Sequence, residues 1–260
     1  MYVDSHCHLT FPELQADLPA ILARMQAANV DRAMCICTEM DEFERVHALA
    51  LAHPHLYATV GVHPDNESSR SPTEDELVQL AAHTKVLALG ETGLDYFRLN
   101  GRSIADMEWQ RERFRTHIRA ARRVHKPLVV HTRSASDDTI RVMAEEGAGE
   151  CGGVLHCFTE TQAVADAALA QGFYISFSGI VTFKNAQSLR DVAASVPEDR
   201  LLIETDSPYL APAPHRGKTN DPSFVPLVAA CLAQVRGTTP EHIAEITTRN
   251  FERLFLNKIH

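Results

Sequence analysis

One pattern constrains this chain more than any other: short apolar runs of strand type alternate with longer stretches of helical periodicity from end to end. The strand-type runs are YVDSHCHL (2–9), VDRAMCICT (30–38), LYATVGVH (56–63), KVLALGE (85–91), PLVVHT (127–132), GGVLHCF (152–158), FYISFSG (173–179) and RLLIETD (200–206). Helical patterns fall between them, near 73–83, 106–125, 135–146, 160–171 and 186–195, and two more follow after 222. The inner runs are almost continuously apolar, as parallel strands covered on both faces are. Eight such strands, each followed by a helix, predict an α/β fold of the (β/α)8 TIM-barrel type. A doubly wound open sheet is the alternative, but no glycine-rich GxGxxG follows the first strand. With 260 residues and no linker, repeat or composition shift, the reading is a single domain over 1–260.

Composition excludes several classes. A hydrophobic fraction of 45% and a charged fraction of 23% suit a chain that buries a core rather than a disordered one. No apolar run approaches the roughly 20 residues of a membrane span, and no basic and apolar leader opens the chain, so a cytoplasmic protein is expected. The six cysteines lack paired CxxC spacing, and Cys35 and Cys37 read as buried on one strand face. A net charge of −9 disfavours broad coating of duplex DNA, though not a site that grips one or two phosphates locally. No coiled-coil seam is visible, so a monomer is expected.

In a barrel of this type the chemistry gathers at the C-terminal ends of the strands. Those ends carry His6 and His8, His63, Glu91, His131, His156 and Asp206. His6 and His8 are two apart, so in an extended strand both rings leave the same face and converge. Four histidines and two carboxylates at one barrel mouth would be a costly cluster without a cation. Six ligands (His6, His8, Glu91, His131, His156 and Asp206) exceed what one catalytic zinc-like ion takes, which points to two divalent ions with Glu91 as the shared bridge. His63, alone in GVHP, fits a residue that touches substrate or backs a ligand. His47, His53, His55, His83, His117, His125, His242 and His260 lie in or beside helices or at the terminus and are expected at the surface.

The motifs DSHCHL (4–9), GVHP (61–64), GETGLDYFR (90–98), PLVVHTR (127–133), GVLHCF (153–158) and ETDSPYL (204–210) resemble the TatD family of metal-dependent deoxyribonucleases, within the amidohydrolase superfamily. The resemblance spans essentially the whole chain. It implies that His6, His8 and Asp206 bind one ion and His131 and His156 the other, with Glu91 between them where many superfamily relatives carry a carboxylated lysine. RGKTNDP (216–222) departs from the family's RGKxNEP-like run at Asp221, so substrate contacts by this loop are less defined than the metal site.

The expected function is hydrolysis of DNA phosphodiesters, as a 3′-5′ exonuclease on single-stranded ends, by a metal-activated hydroxide. Asp206 is the expected proton acceptor, with Glu91 as its catalytic partner. Arg98, Arg133, Arg216 and Lys218 follow strand ends four, five and eight and are expected around a substrate phosphate, with Tyr96, Phe97 and Tyr209 beside them as stacking surfaces. The ligand types admit Mg, Mn or Zn. Two alternatives are a two-metal hydrolase of another ester or amide, such as a D-aminoacyl-tRNA deacylase, and a non-catalytic metal-binding scaffold.

Overall fold

The computed structural model describes residues 1–257, and His260 lies outside the described residues. Among them are eight strands: β1 (Tyr2–Cys7), β2 (Val30–Cys35), β3 (Leu56–Val60), β4 (Val86–Asp95), β5 (Leu128–Arg133), β6 (Gly153–Leu155), β7 (Tyr174–Phe177) and β8 (Leu201–Ile203). They form one parallel sheet in chain order. The circle closes beyond β8, where Ser207 bridges Cys7, the His8 amide donates to the Ser207 carbonyl and the Asp206 amide donates to that of His6. The expected (β/α)8 barrel is therefore the fold.

The helices are α1 (Pro12–Gln15), α2 (Leu18–Ala27), α3 (Phe43–Ala52), α4 (Glu74–Ala81), α5 (Glu108–Val124), α6 (Ser136–Glu145), α7 (Gln162–Ala170), α8 (Gln187–Ser195), α9 (Val225–Arg236) and α10 (Pro240–Phe251). Local chemistry sets their ends. Thr73 caps α4 by accepting from the Glu76 amide, Thr239 caps α10 from that of His242, and α9 stops at Gly237, whose left-handed φ of 63° suits a residue without Cβ.

Strand alternation sorts the core into two layers. Ala33, Cys35, Leu128 and Val130 face the helices, whereas Val3, Met34, Leu87, Val129 and Leu202 fill the barrel with Phe251, Leu254 and Phe255. The end of α10 and the π-helical turn Glu252–Leu256 thus plug the barrel where its strands begin. Polar chemistry is left to the opposite end.

Several expectations change. Glu91 does not end its strand, because β4 continues to Asp95 with a register shift between Leu89 and Thr92. The glycines beside it allow this: a Cβ on Gly93 (φ +128°) would lie 2.0 Å from the His131 carbonyl oxygen, and one on Gly90 (φ +145°) 2.5 Å from that of Val129. His47 and His117 are buried rather than superficial, because each bonds a backbone group between elements. Among the described residues no helix is long and apolar enough to cross a membrane.

Candidate metal centre

Glu91 is buried, and its two oxygens face different sets of histidines. Oε1 lies 2.8 Å from His156 Nε2, 3.2 Å from His131 Nδ1 and 3.3 Å from His63 Nε2. Oε2 lies 3.4 Å from His6 Nε2 and 4.0 Å from His8 Nε2. Asp206 completes the second set, with Oδ1 at 3.5 Å from His6 Nε2 and 3.4 Å from His8 Nε2.

These separations test whether a cation fits. Metal–nitrogen bonds of roughly 2.0–2.1 Å place neighbouring donor atoms about 3.0–3.4 Å apart, the spacing found here. His6 Nε2 and His8 Nε2 face each other at 3.3 Å, and the Nδ1 atoms of both rings are buried without a hydrogen-bond partner. Lone pairs that converge on one another in a buried site are satisfied by a positive charge. Among the described residues, three groupings of donors meet within 4.8 Å: His6 with His8 and Glu91, His6 with His156 and Asp206, and His63 with Glu91 and His131.

Electrostatics point the same way. Burial alone would raise the Glu91 pKa, but His156, His63 and His131 outweigh it and hold the carboxyl well below its usual range. For His156, burial opposes the charged ring, while Glu91 and Glu204 drive its pKa well above the ordinary value. For Asp206, burial is again outweighed, by a bond to His8 and the charges of His6 and His156. Glu91 and Asp206 are therefore ionised.

Two carboxylates missing from the sequence reading support the rings from behind. Glu204 Oε1 is 3.2 Å from His156 Nδ1 and also accepts from the Cys157 amide at 2.8 Å, while Asp95 Oδ2 is 3.1 Å from His131 Nε2. With a cation bound, each would keep the ring's proton on its own side and leave the nitrogen facing Glu91 free to ligate, as in carboxylate–histidine–metal arrangements. Asp95 is four residues beyond Glu91 and Glu204 two before Asp206, but the rings they back lie at other strands. Asp4 is also buried, accepts from the Thr205 amide and hydroxyl and from the His6 amide, and is pushed by burial up to about 8.

Asp206 sits three residues beyond β8 in a left-handed turn, φ 56°. Asn220, fully buried, holds that turn by donating from Nδ2 to the carbonyls of Thr205 and Tyr209. Asp221 caps the turn Pro222–Phe224 and pairs with Arg24. The RGKTNDP run thus turns its last polar residues inward, toward the chain.

A cavity of about 750 Å³ opens over the centre. Arg98 and Arg133 line it, Arg98 with Asp65 at 3.6 Å and Arg133 over the Phe97 ring at 3.7 Å. Arg216 instead lies over Phe183 at 4.1 Å, and neither it nor Lys218 lines the cavity. Tyr96 is buried, bonded through its hydroxyl to Asp138 and Arg111, and is no stacking surface. His63 faces Glu91 directly and joins the donor cluster.

The fold agrees with known proteins. A family model described as TatD related DNase matches residues 3–256. The chain is 46% identical over 256 residues to the uncharacterized metal-dependent hydrolase YcfH of Escherichia coli (strain K12), covering 97% of this chain and 95% of that one. It is 33% identical over 258 residues to a protein of Escherichia fergusonii named 3′-5′ ssDNA/RNA exonuclease TatD, covering 97% and 98%. The crystal structure of YJJV, a TatD homologue from Escherichia coli K12, superposes with a TM-score of 0.88 at 30% identity, covering 98% of this chain and 97% of that one. This chain belongs to the TatD family and is a metal-dependent hydrolase.

Proposed function

We propose that the chain hydrolyses phosphodiester bonds of DNA, releasing nucleotides from single-stranded 3′ ends, with two divalent ions (Mg, Mn or Zn) bridged by Glu91. The observation that carries this is the division of the Glu91 oxygens between His6 and His8 on one side and His63, His131 and His156 on the other. Ions so held lower the pKa of water toward neutrality and offset charge developing on a phosphoryl oxygen.

The chain's own residues supply the rest. Asp206, ionised beside His6 and His8, accepts the proton of the attacking water. Glu204 and Asp95 hold the rings of His156 and His131 in one tautomer and orientation. Arg98 and Arg133, at the cavity wall, pair with substrate phosphates. The Escherichia fergusonii relative's name supports a nucleic-acid substrate and makes RNA a second strand to test.

Metal-stripped protein is reloaded separately with Mg²⁺, Mn²⁺ and Zn²⁺ and given single-stranded DNA labelled at its 5′ end. A ladder shortening from the 3′ end is expected with at least one ion. Activity no greater than that of Asp206→Asn sinks the proposal, and turnover of an aminoacyl ester alone moves the chemistry to a carbonyl carbon.

A further inference from the structure

Two large aromatic rings stand exposed beside the cavity: Tyr209, 52% exposed, lines it, and Phe97, 57% exposed, packs against Arg133, which lines it. Phe97 follows β4 and Tyr209 follows β8, the fourth and eighth strands in a ring of eight, so the two stand on opposite sides of the metal centre.

The two walls differ in charge. On the β4–β5 side, Arg98 and Arg133 line the cavity, and the Arg133 guanidinium lies against Phe97. On the β8 side, Tyr209 is joined by Phe11, Ile180 and Leu210, with the Phe11 ring 6.3 Å from that of Tyr209 and stacked 4.6 Å from that of His8. Apart from His8 and Asp206 of the centre itself, this second wall has no charged side chain among its lining residues.

We propose that a single nucleic-acid strand crosses the mouth with its 3′-terminal base stacked on Tyr209 and its penultimate base on Phe97, the phosphate between them lying over Glu91. The assignment rests on the exonuclease reading above and adds a direction to it. The terminal nucleoside beyond the scissile phosphate carries no further charge, so it suits the wall that offers no arginine. Every nucleotide upstream brings another phosphate, so the continuing strand suits the wall with Arg98 and Arg133. Stacking reads no sequence, because every base has a π face, and the site therefore takes any base at either position.

The test is a set of coupling cycles between protein and strand. A 5′-labelled oligonucleotide is bound in Ca²⁺ and followed by anisotropy, with its terminal or its penultimate base removed as an abasic residue. In the unsubstituted protein, loss of either base is expected to weaken binding about tenfold. In Tyr209→Ala, loss of the terminal base has no further effect while loss of the penultimate base still does. Phe97→Ala gives the reverse, and Tyr209→Phe behaves as the unsubstituted protein. Independent effects of base and ring overturn the proposal, and couplings exchanged between the two rings overturn its direction. Hydrolysis with Mg²⁺ or Mn²⁺ in the absence of coupling sinks this strand path alone. Coupling in a protein that hydrolyses no phosphodiester supports the path and sinks the exonuclease reading.

Discussion

His117 makes stability depend on pH in a way that can be worked out from its two bonds. It is fully buried on α5, where Nε2 accepts from the Val62 amide at 3.2 Å and Nδ1 faces the Arg113 carbonyl at 2.8 Å. An amide can only donate, so Nε2 holds the lone pair and Nδ1–H donates to Arg113. The ring is neutral with its tautomer fixed. Burial is the main cause that lowers its pKa to about 4, assisted by the Arg113 charge and opposed by the bond to the Arg113 carbonyl. In the unfolded chain the ordinary value is about 6.5. Because the folded value is depressed, the stabilisation is complete above about pH 6.5 and is lost as pH falls toward 4. The total is about 3 kcal/mol, of which about 2 kcal/mol is gone at pH 5.

The assay is urea unfolding in chelator at pH 7.5 and 5.0, followed by fluorescence of Trp109, the single tryptophan. Other groups titrate in the same window, so the quantity of interest is the stability gap between the unsubstituted protein and His117→Gln, in which shared terms cancel. That gap should shrink by about 2 kcal/mol on going to pH 5. A gap constant to within about 0.5 kcal/mol, the usual limit of additivity, would refute the buried neutral ring.

Three further outcomes follow from the centre and its supports. Glu204→Gln and Asp95→Asn should each weaken metal binding by about 10–100-fold without loss of fold, measured by metal titration beside circular dichroism; unchanged affinity would remove their role in orienting His156 and His131. Asn220→Ala should cost about 1–3 kcal/mol in urea unfolding, since it leaves the Thr205 and Tyr209 carbonyls unpaired, and it should lower kcat through Asp206. Adding a divalent ion at about 100 times its Kd should raise the unfolding free energy by about 2.7 kcal/mol, an increment that Glu91→Gln should lose.

Much of this protein is local in origin and was legible as sequence. The apolar strand-type runs, the helical stretches between them and the HxH at His6 and His8 are set by neighbours a few residues apart, and they suffice for eight strands, a barrel and a candidate ligand set at one end. What only the tertiary structure decided depends on closure of the ring. The bulge in β4 between Gly90 and Gly93 carries the strand past Glu91 and lets Asp95 reach His131; closure beyond β8 brings Glu204 behind His156, 48 residues away in the chain. Both pairings put carboxylates behind imidazoles, which no spacing rule foretells because it requires two strands in register. The same holds for charge. Arg98, Arg133, Arg216 and Lys218 look alike as cations after strand ends, yet only the first two turn into the cavity, since a side chain's direction in a loop is set by what its loop packs against.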